Sequence, residues 1–193
     1  MPIDRRQLVT QLIAQCGNAA VITGLGSPTY DVAAASDRPE NFYLWGAMGG
    51  SAMVGLGVAL AQPQRRVIVV TGDGEALMGL GSFATIAARK PANLALLILD
   101  NERFCETGGQ RGLTSYGADL AAMARAAGIA NSLTADRPDQ VSAVVDHVLS
   151  AAGPAVGVAK INPEEAPRVL PSREGVWLAQ RFRQAMNQPT LAS

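Results

Sequence analysis

Apolar positions along the chain follow two different periods, and the switches between them mark out the elements. Leu8, Leu12 and Ile13 fall on one face of a helical repeat, which predicts an amphipathic helix over 5–16. A short apolar run over 20–23 reads as a strand that breaks into a loop at Gly24–Leu25–Gly26. Residues 27–35 predict a helix with Pro28 in its first turn, where a missing N–H costs nothing. Three aromatics and several glycines crowd residues 41–50. The small residues of 51–61 then predict a buried helix able to lie close against a sheet.

The strongest signal is Val67–Ile68–Val69–Val70, apolar on both faces as a buried parallel strand requires. This strand, expected over 66–71, runs into Gly72–Asp73–Gly74, and a helical pattern follows from 75 to about 89. A second run of the same kind, 94–99, ends at Asp100–Asn101 and leads into a glycine-rich loop. Further on, the pattern predicts helices near 118–127 and over 140–151, with a short apolar piece around Ile129 between them. A strand over 155–161 and a charged helix over 173–188 complete it. Strand and helix in regular alternation argue for an α/β fold, a single three-layer domain over 1–193 whose mostly parallel sheet is covered by helices on both faces. No internal repeat and no linker rich in Pro, Gly or Ser divides it.

Composition narrows the class. With 193 residues, 48% of them hydrophobic and 17% charged, the chain can bury a core without help from disulfides or metals. Lys plus Arg and Asp plus Glu balance at 16 each, so no global field recruits nucleic acid or an anionic membrane. Cys16 and Cys105 stand far apart with no ligand spacing around them. That argues against an iron–sulfur or zinc centre and fits two free thiols in a reducing compartment. The stretch up to Gln15 lacks a continuous signal-like apolar run, and no segment approaches the roughly 20 apolar residues that cross a bilayer. A cytoplasmic protein is expected.

Ligands on open parallel sheets bind at the carboxyl ends of the strands. Two predicted strand ends carry polar residues there. Asp73 offers a carboxylate between two glycines, where backbone can approach a ligand closely, and the following helix directs amides and a positive dipole end to the same place. Asn101 adds a neutral oxygen at the next strand end. A carboxylate, a carboxamide and carbonyls, completed by phosphate oxygens, suit an octahedral Mg²⁺ shell. About 25 residues separate the two loops, which fits one helix and one strand of a βαβ unit and puts both at the same edge of the sheet.

Gly72–Asp73–Gly74, then a helix, a strand and Asp100–Asn101, resembles the diphosphate-binding motif of thiamine-diphosphate enzymes. The resemblance implies Mg²⁺ ligation by Asp73, Asn101 and the carbonyl of Arg103, with Gly72, Gly74 and Phe104 at the cofactor. Asp100 departs from the Asn that opens the family's pair, at a position that is not a ligand. Glu75 stands where many members have Ser or another small residue near the diphosphate, so its carboxylate must turn away or meet a cation. Gly46–Ala47–Met48–Gly49 is similar to the Gly-x-Met-Gly segment of acetolactate synthase and related decarboxylases. By that likeness Met48 wedges under the cofactor, the Gly46 carbonyl receives its pyrimidine amino group, and Ala47 lies beside both. Thr107–Gly108–Gly109–Gln110 resembles a loop of sulfopyruvate and phosphonopyruvate decarboxylases and of 2-oxoacid:ferredoxin oxidoreductases. Over 41–129 the likeness is nearest to the sulfopyruvate decarboxylase beta subunit and the matching half of phosphonopyruvate decarboxylase.

The resemblance implies the cofactors thiamine diphosphate and Mg²⁺, and a beta-type subunit of a 2-oxo acid decarboxylase. It also implies a separate pyrimidine-binding alpha-type subunit, forming a hetero-oligomer and supplying the activating glutamate. Glu75, Glu102 and Glu106 lie on the diphosphate side, so no catalytic residue is assigned to this chain. A 2-oxoacid:ferredoxin oxidoreductase beta subunit, an acetolactate synthase-like carboligase and a non-catalytic cofactor-binding subunit stay open as alternatives. His147 reads as a surface or interface histidine, and nothing in sequence marks Cys105 as an activated thiol. Arg103 and Arg111 either meet a substrate anion or are solvated. Arg173, Arg181 and Arg183 suggest a solvated or subunit-contacting helix face.

Overall fold

Six strands form one all-parallel sheet in the computed structural model, which describes residues 2–164 and 166–187. In chain order, α1 (Arg5–Gln15) leads to β1 (Ala20–Thr23), α2 (Ser27–Ala35) and β2 (Asn41–Tyr43). Then come α3 (Ser51–Ala61), β3 (Val67–Gly72), α4 (Asp73–Met78), α5 (Ser82–Arg89) and β4 (Leu94–Asp100). A small antiparallel ribbon, β5 (Arg103–Phe104) against β6 (Gln110–Arg111), precedes α6 (Leu120–Ala126) and β7 (Asn131–Ala135). Last are α7 (Val141–Ser150), β8 (Ala155–Lys160) and α8 (Gly175–Met186). The sheet runs β2-β1-β3-β4-β8-β7.

The layers follow from the strand period, which sends alternate side chains to opposite faces. Ile68, Val70, Leu97 and Leu99 join α1, α2 and α7 in one core, while Val67, Val69, Leu96 and Ile98 join α3, α5 and α6 in the other. Because both faces of β3 and β4 are covered, those strands must be apolar at consecutive positions. The α1 helix starts where the Asp4 carboxylate accepts from the Gln7 N–H at 2.8 Å, a side-chain cap. The α3 helix lies close to the sheet because Gly55 has no side chain: a Cβ there would fall 2.3 Å from Val69 Cγ2. Among the described residues, no helix is long and apolar enough to cross a membrane.

Three expectations change. The helix read over 75–89 is two helices, α4 and α5, broken at Gly79–Leu80–Gly81. Glycine is a poor helix former, and Gly79 sits against the Gly49 backbone, where any Cβ would be 2.3 Å from the Gly49 carbonyl oxygen. The edge strands β2 and β7 complete the sheet although neither has a strong strand pattern. The C-terminal helix begins at Gly175 rather than 173, and Gln188, its expected end, lies outside the described residues. Of the arginines in this segment, Arg183 is exposed, but Arg173 and Arg181 are not simply solvated. Arg181 pairs with Asp37 at 2.9 Å and lies 4.6 Å from the Trp177 ring, and Arg173 stacks over Trp45 at 5.1 Å, tying the segment to β2 and its loops.

The chain leaves β1 for β2 on one side, whereas β3 and β4 build outward on the other. This switch in direction opens a crevice at the carboxyl ends of β1 and β3, where ligands of such sheets bind.

Overpacking tests the α3–β3 contact. Gly55→Ala should destabilise the domain by about 1–3 kcal/mol in urea unfolding. Adding Val69→Ala should offset part of that loss, with a coupling of about 0.5–3 kcal/mol; strict additivity of the two would refute the close approach.

Candidate functional site

The crevice is an open cleft at the switch point. Gly72, Asp73, Gly74 and Glu75 reach it from the end of β3, and Asn101 from the end of β4. Met48 enters from the loop before α3, and Arg103, Phe104 and Cys105 from the ribbon and the turn after it. Gly46 and Ala47 are exposed beside Met48 and do not line the cleft.

Asp73 opens α4 and is 3% exposed, next to Asp100 at 2%. The β3–β4 pairing, with Gly72 opposite Leu99, is what sets these carboxylates side by side. Burial pushes the Asp73 carboxyl from near 3.8 up to about 6, and the Asp100 charge adds to the rise. The Thr114 hydroxyl and the Asp73 and Gly74 amides oppose it. Asp100 has its own cation, Lys160 on β8, whose Nζ lies 2.8 Å from Oδ2. Among the described residues, no Lys or Arg is ion-paired with Asp73.

Asn101 makes a local turn: its Oδ1 accepts from the Arg103 N–H at 3.0 Å, and its Nδ2 donates to Cys105 Sγ at 3.1 Å. The Gly112 N–H donates to the Glu102 carbonyl at 2.7 Å, which makes the next pair, Arg103–Arg111, a non-hydrogen-bonded one. The Arg103 carbonyl is therefore not used by the ribbon. Phe104 lies over Gly74, where a Cβ would meet its ring at 2.8 Å, so any larger residue there must push the ring aside.

Glu75 turns away from these groups. Its carboxylate accepts long hydrogen bonds from the Leu25 and Ser51 N–H groups, both at 3.4 Å, at the β1 loop and the start of α3. That helix has no side-chain cap of its own, so a carboxylate near its first amides is favourable. Gly24 makes the room, since a Cβ there would overlap Glu75 Oε2 at 1.6 Å.

Sequence reasoning passed over Leu25, Gly26, Ser27 and Pro28, which form another wall of the cleft at the end of β1. Their signal was present as a glycine-bracketed loop at a strand end. Behind them Arg5 lines the cleft, paired with Asp31, which also accepts from Arg6 Nε at 2.7 Å. Thr114, 41 residues from Asp73, had no local signal. His147 stands apart on α7, within 3.1 Å of the Asn131 carbonyl oxygen. Cys16 is buried against Arg38 and Cys105 lines the cleft; both are free thiols.

Among the described residues, no group of three or more His, Cys, Asp or Glu could hold a metal alone. The donors here are instead one carboxylate, one carboxamide and a carbonyl, a set of hard oxygens that fits Mg²⁺ if a phosphate-bearing ligand completes the shell.

Comparison with known proteins agrees with this geometry. A family model described as thiamine pyrophosphate enzyme, C-terminal TPP binding domain, matches residues 24–158. Phosphonopyruvate decarboxylase of Streptomyces hygroscopicus is 42% identical over 180 residues, covering 91% of this chain and 43% of the relative. The chain thus spans less than half the length of that protein. Sulfopyruvate decarboxylase subunit beta of Methanococcus maripaludis is 34% identical over 171 residues, 88% of this chain and 91% of the relative. The solved benzoylformate decarboxylase of Polynucleobacter necessarius superposes with a TM-score of 0.69 at 19% identity, over 86% of this chain and 34% of that one, which shows a shared fold.

The ionised Asp73 carries a stability penalty in the cation-free chain. Well below pH 4 the group is neutral folded or unfolded; between about 4 and 6 the unfolded chain ionises first, so stability falls with pH, and above about 6 the folded state is disfavoured by about 3 kcal/mol. With a chelator present, Asp73→Asn should therefore be more stable than the wild type at pH 7 by up to about 3 kcal/mol, the gap closing below pH 4. Urea unfolding across that range checks it, and a variant less stable at pH 7 would refute it.

Proposed function

The chain belongs to the thiamine pyrophosphate enzymes, carrying their C-terminal TPP-binding domain, and from that premise we propose that it is the beta-type subunit of a Mg²⁺-dependent 2-oxo acid decarboxylase. The substrate class is a pyruvate bearing a phosphonate or sulfonate, as the names of the relatives suggest. The observation that carries the reading is the buried Asp73, without a cation partner among the described residues and sharing one cleft with Asn101 at the switch point of the sheet.

In this reading Asp73, Asn101 and the Arg103 carbonyl hold Mg²⁺. The amides around Gly72–Gly74 take the diphosphate, with the wall at Gly26–Pro28 beside it, Phe104 closing over Gly74 and Arg5 adding positive charge behind the wall. Met48 supports the cofactor from the other side, with the Gly46 and Ala47 backbone next to it. When bound, the cofactor supplies the electron sink for loss of CO₂ from a 2-oxo acid. The chain's own part is to bind and orient it.

An activating glutamate comes from a partner, because the nearby ones are engaged. Glu75 serves the Leu25 and Ser51 amides, Glu102 meets Lys160 at 2.8 Å, and Glu106 meets Arg168 at 3.8 Å. Coverage of 91% of a relative named as a beta subunit supports an alpha-type partner. Met48 at the cleft, 42% exposed, with Met53 at 42% and Met78 at 66% on nearby helices, supplies an apolar surface for it. The turn of Glu75 away from the metal ligands weighs against a chain that has lost turnover. Free thiols at Cys16 and Cys105 accord with a cytoplasmic enzyme.

Calorimetric titration of thiamine diphosphate with Mg²⁺ tests the reading, using the chain alone and co-expressed with the product of its neighbouring gene. Binding should require Mg²⁺, strengthen with the partner and vanish in Asp73→Ala; no binding in either preparation would overturn the cofactor assignment. Met53→Glu with Met78→Glu should abolish co-purification of the partner while leaving the melting temperature of the chain unchanged. A complex of undiminished mass in light scattering would remove this surface from the interface.

A further inference from the structure

Thr114 is 5% exposed, and its hydroxyl oxygen lies 3.0 Å from Asp73 Oδ2 and 2.8 Å from Asp100 Oδ1. A hydroxyl has one proton to donate, so it can serve only one of the two carboxylates at a time. Asp100 is already supplied on both oxygens. Lys160 Nζ meets Oδ2 at 2.8 Å, and the Glu102 N–H donates to Oδ1 at 3.1 Å. Asp73 has no other side-chain donor among the described residues, so the Thr114 proton goes to Asp73.

The turn that carries Thr114 is pinned from outside. Arg111 donates to Ser115 Oγ at 3.3 Å and to the Ser115 carbonyl at 3.1 Å, and its guanidinium stacks 4.5 Å over Tyr116. The Gly112 N–H, bonded to the Glu102 carbonyl, ties the same turn to the end of β4. These contacts give Arg111 a structural task in place of the substrate contact left open by its sequence position.

We infer that Thr114 is a positioning residue of the metal site: backed by the Asp100–Lys160 pair, its hydroxyl holds Oδ2 of Asp73 and so fixes the carboxylate rotamer offered to the cation. This rests on the Mg²⁺ reading of the cleft. Partners that orient a metal ligand through its second oxygen commonly matter about 10- to 100-fold in metal affinity.

Mn²⁺ affinity, read from the electron paramagnetic resonance of the free ion with thiamine diphosphate present, tests it on the preparation that includes the partner. Thr114→Val should weaken Mn²⁺ binding by about 10- to 100-fold. Thr114→Ser, which keeps the hydroxyl, should bind as the wild type does. Wild-type affinity in Thr114→Val, or equal weakening in Val and Ser variants, would overturn the role of the hydroxyl. Should the valine variant not fold, Thr114→Cys, similar in size and a weak donor, takes its place with the same expectation. Asp73→Ala separates the two levels. If the wild type binds Mn²⁺ no better than that variant, the metal reading itself fails and this inference with it.

Discussion

Two carboxylates, Asp73 and Asp100, are buried at the ends of neighbouring parallel strands with one hydroxyl between them, and the site is organised around the charge they leave. Strand register creates the problem. Gly72 pairs with Leu99, so the next residue of β3 and the last of β4 emerge side by side. Register also solves half of it, because Asp100 pairs across β4 and β8 with Lys160. Asp73 gets no such partner. A buried carboxylate without a cation is costly, and a fold keeps one where the compensating charge arrives from outside. The carboxyl end of a parallel sheet at its switch point is where such a visitor can be met by backbone amides as well.

The parts of this arrangement that depend on continuous chain were legible in the sequence. The runs at β3 and β4 are apolar at every position because both faces are covered, and the Gly-Asp-Gly and Asp-Asn pairs stand at their ends. What could not be read depends on tertiary placement. The β2 and β7 strands are edge strands; β2 is three residues long, and β7 is half exposed and carries polar residues, so neither has a continuous apolar signature. The single helix expected after Asp73 breaks because Gly79 must pass the Gly49 backbone, a contact between segments about 30 residues apart. Thr114 reaches Asp73 only through the ribbon and the turn after it. Nor does sequence tell which way a side chain turns, and for Glu75 that direction decides whether the motif is spoiled.

The two departures from the family pattern are each balanced by another residue of the same chain. Asp100 in place of Asn adds a negative charge beside the proposed metal ligand, and Lys160 on the adjoining strand takes it up while also holding Glu102. Glu102 is one of two non-glycine residues at positive φ among those described, at 60°, so the ion pair helps to keep an unfavourable backbone turn in place. Glu75 in place of a small residue would set a carboxylate near the phosphates, but Gly24 leaves it a channel to the uncapped start of α3. In both cases the substitution is tolerated because a second position accommodates its charge. Asp73 differs from Asp100 in having no Lys or Arg partner among the described residues: its charge is met by the Thr114 hydroxyl and by amides, which accords with its proposed role as the metal ligand.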